Sequence, residues 1–374
     1  MKKFRVFLLL VLSVSFSETS WAYRFGNVDV KLRPSVNETY DNNITFVKNG
    51  KVDDFITHVN FGADVSFEDK MRSLTLSGDV HHSIFLDKSK FNNTAEELNL
   101  DFLNEFTKYD RIRVTDNYSH TYEPRSFEDA FGRSRGRYSY HNNYVKVEYS
   151  HDVTQQLAVL VKFSNQLNKI SSAGLSDSYT NMIGADVFYF INPETRIGID
   201  FEFRKRTFDI GGNSTTDSLS ATVRRYITQR LYFDGKIGAD FIDSFDGSRL
   251  TRPSFEASLT EEVDQVTTAK LSFTKSYNTT SFATDLFNEW RVSGFLTREI
   301  TKRLAVSGSF FYGEGEYTSS RRKDKLSGAS LSLDYDLLHN LKGSVVYSYS
   351  EVSSTDNLQS YAKNVVSLGL GAEF

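Results

Sequence analysis

The chain ends in NVVSLGLGAEF, residues Asn364 to Phe374. Every second residue back from the end, Phe374, Ala372, Leu370, Leu368 and Val366, is apolar. The residues between them, Glu373, Gly371, Gly369, Ser367 and Val365, are mostly small or polar. A period of two puts alternate side chains on opposite faces of a strand, so this stretch reads as a strand with one apolar face. It stops on an aromatic residue in mid-strand. A soluble domain has little use for a bare terminal Phe.

The same alternation recurs toward the N-terminus. Val59, Phe61, Ala63, Val65 and Phe67 form one such run, and Leu157, Val159, Val161 and Phe163 another. Ile197, Ile199, Phe201 and Phe203, then Leu304, Val306, Gly308 and Phe310, continue it. There are about 18 segments, each close to the ~9–11 residues that a tilted membrane-crossing strand needs. Their other face carries charge: Asp79, Asp101, Lys146, Glu148, Lys162, Asp186, Asp200, Glu202, Arg224, Asp234 and Lys236 among others. Short connections (107–110, 192–194, 338–340) alternate with longer polar stretches (41–54, 87–97, 123–141, 165–178, 205–217, 243–251, 278–285, 313–325, 351–360). A soluble sandwich or solenoid has no reason to keep its long connections on one side. A transmembrane antiparallel β-barrel does, with short periplasmic turns and long outer loops. The expectation is one all-β domain over 23–374, an outer-membrane barrel of about 18 strands with 16 as the alternative, both ends periplasmic.

Residues 1–22 read separately. Lys2, Lys3 and Arg5 precede an apolar run from Phe4 to Phe16, and Ser20-Trp21-Ala22 fits a small-x-small cleavage site. This is the pattern of a cleaved secretory signal peptide, too short in its apolar part to span a bilayer. The chain has no Cys, so an exported protein that could form disulfides uses none. Its net charge of −4 carries no basic excess, which argues against a nucleic-acid partner. The seven His show no metal-ligand spacing, no cofactor motif is present, and no G-x-S-x-G elbow occurs. His120, near Asn117 and Ser119, comes closest to a rim hydrolase histidine, yet such residues are common at polar positions of barrel strands. No enzyme is expected.

Phe and Tyr number 31 and 20, and many stand where strand segments meet loops, among them Tyr40, Phe106, Tyr149, Tyr189 and Tyr335. Rings favour the headgroup level of a bilayer, so they read as two girdles against outer-membrane lipid. Phe374 then reads as the C-terminal aromatic signal that barrel assembly machinery recognises.

The loop SFEDAFGRSRGRYSYHNN (126–143) is unusual. It combines Arg133, Arg135 and Arg137 with Tyr138 and Tyr140. Guanidinium groups pair with uronate or phosphate, and rings stack on sugar faces. With Arg111 and Arg113 on a neighbouring segment, these are candidate polysaccharide contacts in the lumen or its loops. An exposed loop near anionic headgroups tolerates the same residues.

The mature N-terminal region reads VKLRPSVNETYDNNITF, then DDFITHVNFGADVSFEDKMRSLTLSGDV. This stretch, within about residues 30–80, resembles the β-barrel porins of exopolysaccharide- and exosortase-linked gene clusters. The resemblance implies a pore for secretion of exopolysaccharide or capsular polysaccharide, working with a periplasmic polysaccharide export protein. The rival readings are a general or sugar-specific diffusion porin, a barrel enzyme, and a surface-attachment protein.

Overall fold

The computed structural model describes residues 23–122, 136–172, 175–245, 247–264, 266–279 and 286–374. The expected signal peptide lies outside them. The described chain is almost all strand: β1 (Tyr23–Phe25), β2 (Val28–Asp41), β3 (Asp54–Glu68), β4 (Arg72–Phe85), β5 (Asn93–Glu105), β6 (Asp110–Thr121), β7 (Ser139–Asp152), β8 (Leu157–Ser171), β9 (Ser178–Asn192) and β10 (Thr195–Phe208). There follow β11 (Gly212–Tyr226), β12 (Leu231–Asp243), β13 (Arg249–Asp264), β14 (Thr267–Thr279), β15 (Leu286–Thr301), β16 (Leu304–Tyr317), β17 (Lys323–Leu338), β18 (Leu341–Ser354) and β19 (Tyr361–Ala372).

Each strand from β2 to β19 pairs antiparallel with its neighbours in sequence, and β19 pairs back onto β2. That closes a ring of 18 strands, as the alternation predicts; the three-residue β1 is an extra hairpin partner of β2. Closure leaves no strand edge in lipid, where an unpaired N–H or C=O has no partner. Eighteen strands spaced ~4.8 Å and tilted ~40° give a backbone diameter of roughly 35 Å.

Side chains alternate between the two faces. Val59, Phe61, Leu76, Val80, Val161, Phe163, Ile183, Val187, Ile199 and Phe201 are exposed on the outside. Such a band of large apolar groups suits hydrocarbon. Exposed rings mark its lower edge at Phe106, Tyr149, Tyr189 and Tyr335, and its upper edge at Phe55, Tyr179, Tyr312 and Tyr347. The strands run to 12–16 residues, longer than a crossing requires.

The extra length corrects one expectation. Much of 165–178, 205–217 and 313–325, expected as long outer loops, is paired strand. The connection between β10 and β11 is only residues 209–211, and Gly211 and Gly212 take the positive φ its turn needs. These stretches lack the apolar alternation because they rise above the hydrocarbon. Their backbone hydrogen bonds continue all the same.

Candidate functional site in the lumen

The inner wall is charged, and its ions are paired across neighbouring strands. On β2–β4, Arg33 reaches Asp64 at 2.7 Å and Asp79 at 2.9 Å. Arg33, Gly62 and Asp79 share one row of the sheet. A Cβ on Gly62 would lie 2.3 Å from Asp79 Oδ1, so the missing side chain is what lets the guanidinium cross the middle strand.

The same device recurs on β8–β10. Lys162, Gly184 and Glu202 share a row, and Lys162 Nζ lies 2.8 Å from Glu202 Oε1 and 3.1 Å from Asp186 Oδ1. It also contacts Asp200, whose other oxygen lies 3.0 Å from Lys236 Nζ. A Cβ on Gly184 would stand 2.6 Å from Lys162 Cε. Lys162, Asp186 and Asp200 are buried, so each charge depends on its partners in place of water.

A cavity of about 360 Å³ opens beside this network in the wall of β9–β14; Asp186, Asp200 and Lys236 line it together with Phe188, Arg196 and Thr222.

At the outer end the wall is packed. The connection 42–53 between β2 and β3 folds inward. Phe46, 1% exposed, clusters with Phe311, Leu326, Val352 and Tyr361 from the inner faces of β16–β19. Its ring meets Tyr361 edge-on at 5.2 Å, and Lys363 Nζ stands 4.3 Å over it. Ile44 packs with Ile56 and Phe85 on the other side. Asn43 holds the bend: its Nδ2 donates to Val47 O (2.8 Å) and Ala362 O (3.0 Å), and its Oδ1 accepts from the Val47 N–H (3.1 Å). Asp41 anchors the base through Lys363 at 2.9 Å. Phe46 sits at φ 53°, a left-handed backbone that costs a side-chain-bearing residue about 1–2 kcal/mol. Burial of the ring, worth about 1.5–3 kcal/mol, offsets it.

The residues singled out in the sequence fall in different places. Arg133 and Arg135 lie outside the described residues. Arg137 is half-buried at the mouth; its Nε donates to Ile44 O at 2.9 Å, its guanidinium lies 4.8 Å over the Phe85 ring, and Asp41 is 4.0 Å away. It ties the inward-folded segment to the wall. Tyr138 and Tyr140 are buried beside it, and Tyr140 OH donates to Asn168 Oδ1. Arg111 and Arg113 are far below, near the short turns, paired with Asp152 (3.4 Å) and Asp101 (2.9 Å). Phe374 exchanges two backbone hydrogen bonds with Leu32, at 2.9 and 3.0 Å, on the closing seam.

His120 is on the outside face, stacked on His141 at 3.9 Å. Ser139 Oγ lies 3.1 Å from its Nε2 and 3.4 Å from His141 Nε2. Among the described residues no carboxylate hydrogen-bonds either ring.

The residues that build the mouth, Asn43, Ile44 and Phe46, fall in the stretch 41–54 that the sequence reads only as a long outer loop. NNITF is an apolar pair inside a polar loop, and that is the one signal it offered.

The family model "Putative beta-barrel porin 2" matches residues 243–374, the C-terminal third and not the N-terminal stretch that carries the sequence resemblance. No curated protein matches the chain significantly. Among solved structures, the outer membrane protein OpdK from Pseudomonas aeruginosa is 11% identical, with 92% of this chain and 98% of that one covered at a TM-score of 0.49. OccAB3 from Acinetobacter baumannii is 9% identical, covering 92% and 99% at 0.47. The siderophore receptor PirA from Pseudomonas aeruginosa is 8% identical, covering 92% and 80% at 0.46. With its closed ring, its apolar exterior and a C-terminal third that matches a porin family, the chain is a β-barrel of the Gram-negative outer membrane.

Proposed function

We propose that this barrel is a passive diffusion channel for small hydrophilic solutes. The observation that carries the reading is the lumen wall: 18 strands enclose a surface of paired charges and hydroxyls, which hydrates a solute without holding it tightly. The inward-folded 42–53 segment narrows the outer mouth and sets the size of what passes. The experiment is conductance of the purified full-length protein in planar bilayers, with liposome swelling in neutral sugars of increasing size. Stepwise conductance and a sharp size cut-off are expected. A barrel that inserts and never conducts would defeat the reading.

A second reading is an exit conduit for exopolysaccharide or capsular polysaccharide, opened by a periplasmic export protein. The packed outer mouth favours it, because a channel that opens only for its polymer needs a closed resting state. An in-frame deletion that leaves surface polysaccharide unchanged would remove it.

A further inference from the structure

On the inner wall, toward the short-turn end, Arg196 and Arg224 are direct cross-strand neighbours, and Asp234 is the next residue in the row. Asp234 pairs with Arg224 at 2.6 Å. Among the described residues no carboxylate lies within ion-pair distance of Arg196, whose guanidinium stands 4.3 Å over the Phe188 ring. Asp234 is taken by Arg224, so Arg196 is the cation of this row without an ion-pair partner of its own. It borders the 360 Å³ cavity, where Asp186, Asp200 and Glu256 stand with Lys236 and Lys270. Arg196 is half-buried, and its guanidinium keeps donors open to an incoming acceptor.

The rest of the lining narrows the choice. Phe188 lies across Gly198, where a Cβ would be 2.7 Å from its Cδ1 and 2.8 Å from Thr222 Oγ1. The glycine therefore gives the ring its seat. Thr222, Ser258, Ser272 and Thr274 supply hydroxyls, and Lys236 and Glu256 add a donor and an acceptor. A flat aromatic acid would use the cation and the ring and leave those hydroxyls without partners. A sugar acid uses all three: carboxylate on Arg196, pyranose face on Phe188, hydroxyls on the wall.

We propose that Arg196, Phe188 and the hydroxyl-lined wall of β11–β14 form a binding subsite for a uronate. The subsite rests on the channel reading and names its solute class. The ligand is a free uronic acid or the end of an acidic polymer, which share this chemistry.

The test is saturation-transfer NMR on the detergent-solubilised full-length barrel with D-glucuronate, D-glucose and benzoate. Transfer to glucuronate ring protons is expected, with weaker transfer to glucose. Arg196→Gln weakens glucuronate binding roughly tenfold, as loss of a charge-assisted hydrogen bond does. Gly198→Val displaces Phe188 and lowers the sugar response while Arg196 stays in place. It also serves as the second probe if Arg196→Gln fails to fold, judged by heat-modifiable gel mobility. Glucuronate binding equal in wild type and both variants would overturn the subsite. So would benzoate binding better than glucuronate. An oligouronate that binds more tightly than the monomer supports the subsite with a polymer as its ligand, and equal binding supports it with the free acid. Bilayer conductance is recorded separately: a barrel that binds glucuronate through Arg196 but never conducts sinks the channel reading alone.

Discussion

Asp69 sits in the turn between β3 and β4, outside the bilayer. The Met71 N–H, with the Arg72 N–H and guanidinium, holds its carboxyl below the usual carboxylate range. A depressed folded-state pKa adds stability that is present above the unfolded value and lost as pH falls through the folded one. Asp69→Asn is therefore expected to speed amide exchange at Met71 and Arg72 at neutral pH and to change little well below about pH 4. Equal acceleration at both pH values would contradict this. Arg137 makes a different case. It is the strap between the inward-folded segment and the wall, so Arg137→Ala should free the mouth. Single-channel conductance is expected to rise while the folded fraction by gel mobility stays level; unchanged conductance would mean the strap carries no gate.

At the scale of elements, the crossing of a cation over a glycine ties three strands at once. Lys162 over Gly184 binds β8 to β9 and β10, as Arg33 over Gly62 binds β2 to β3 and β4. Lys162→Met leaves Asp186, Asp200 and Glu202 with less positive charge than they need. Removing one partner from a buried ion network costs about 3–5 kcal/mol. A lower thermal or urea midpoint is expected, together with a reversal potential shifted toward cations. A variant as stable and as selective as the parent would show the wall to be solvated rather than packed.

Across the whole molecule, the closing seam is the weak line. β2 and β3 share 14 cross-strand pairs, whereas β19 and β2 share seven, and β1 occupies the lower end of the same β2 edge. Phe374 adds two hydrogen bonds where that seam runs short. Deleting Phe374 should cut the yield of folded barrel in the membrane several-fold and leave the conductance of the survivors unchanged. Normal folded yield would separate the residue from both assembly and closure.

The ring itself was legible in the chain. Lipid outside and water inside impose opposite demands on adjacent residues, so Val161-Lys162-Phe163 and Ile199-Asp200-Phe201 record the fold in their alternation. Local period also told how many such segments there are. It could not tell where pairing stops, because above the hydrocarbon the outer face no longer needs apolar groups while the backbone still needs partners. Nor could it place Asn43, Ile44 and Phe46 inside the mouth, or show Arg137 clamped on Ile44. Those positions depend on contacts between residues more than 90 apart in sequence, such as Arg137 with Ile44. The unmatched charge of Arg196 is of the same kind: which carboxylates stand opposite a guanidinium is decided by strand register around a closed ring, and register belongs to the tertiary structure.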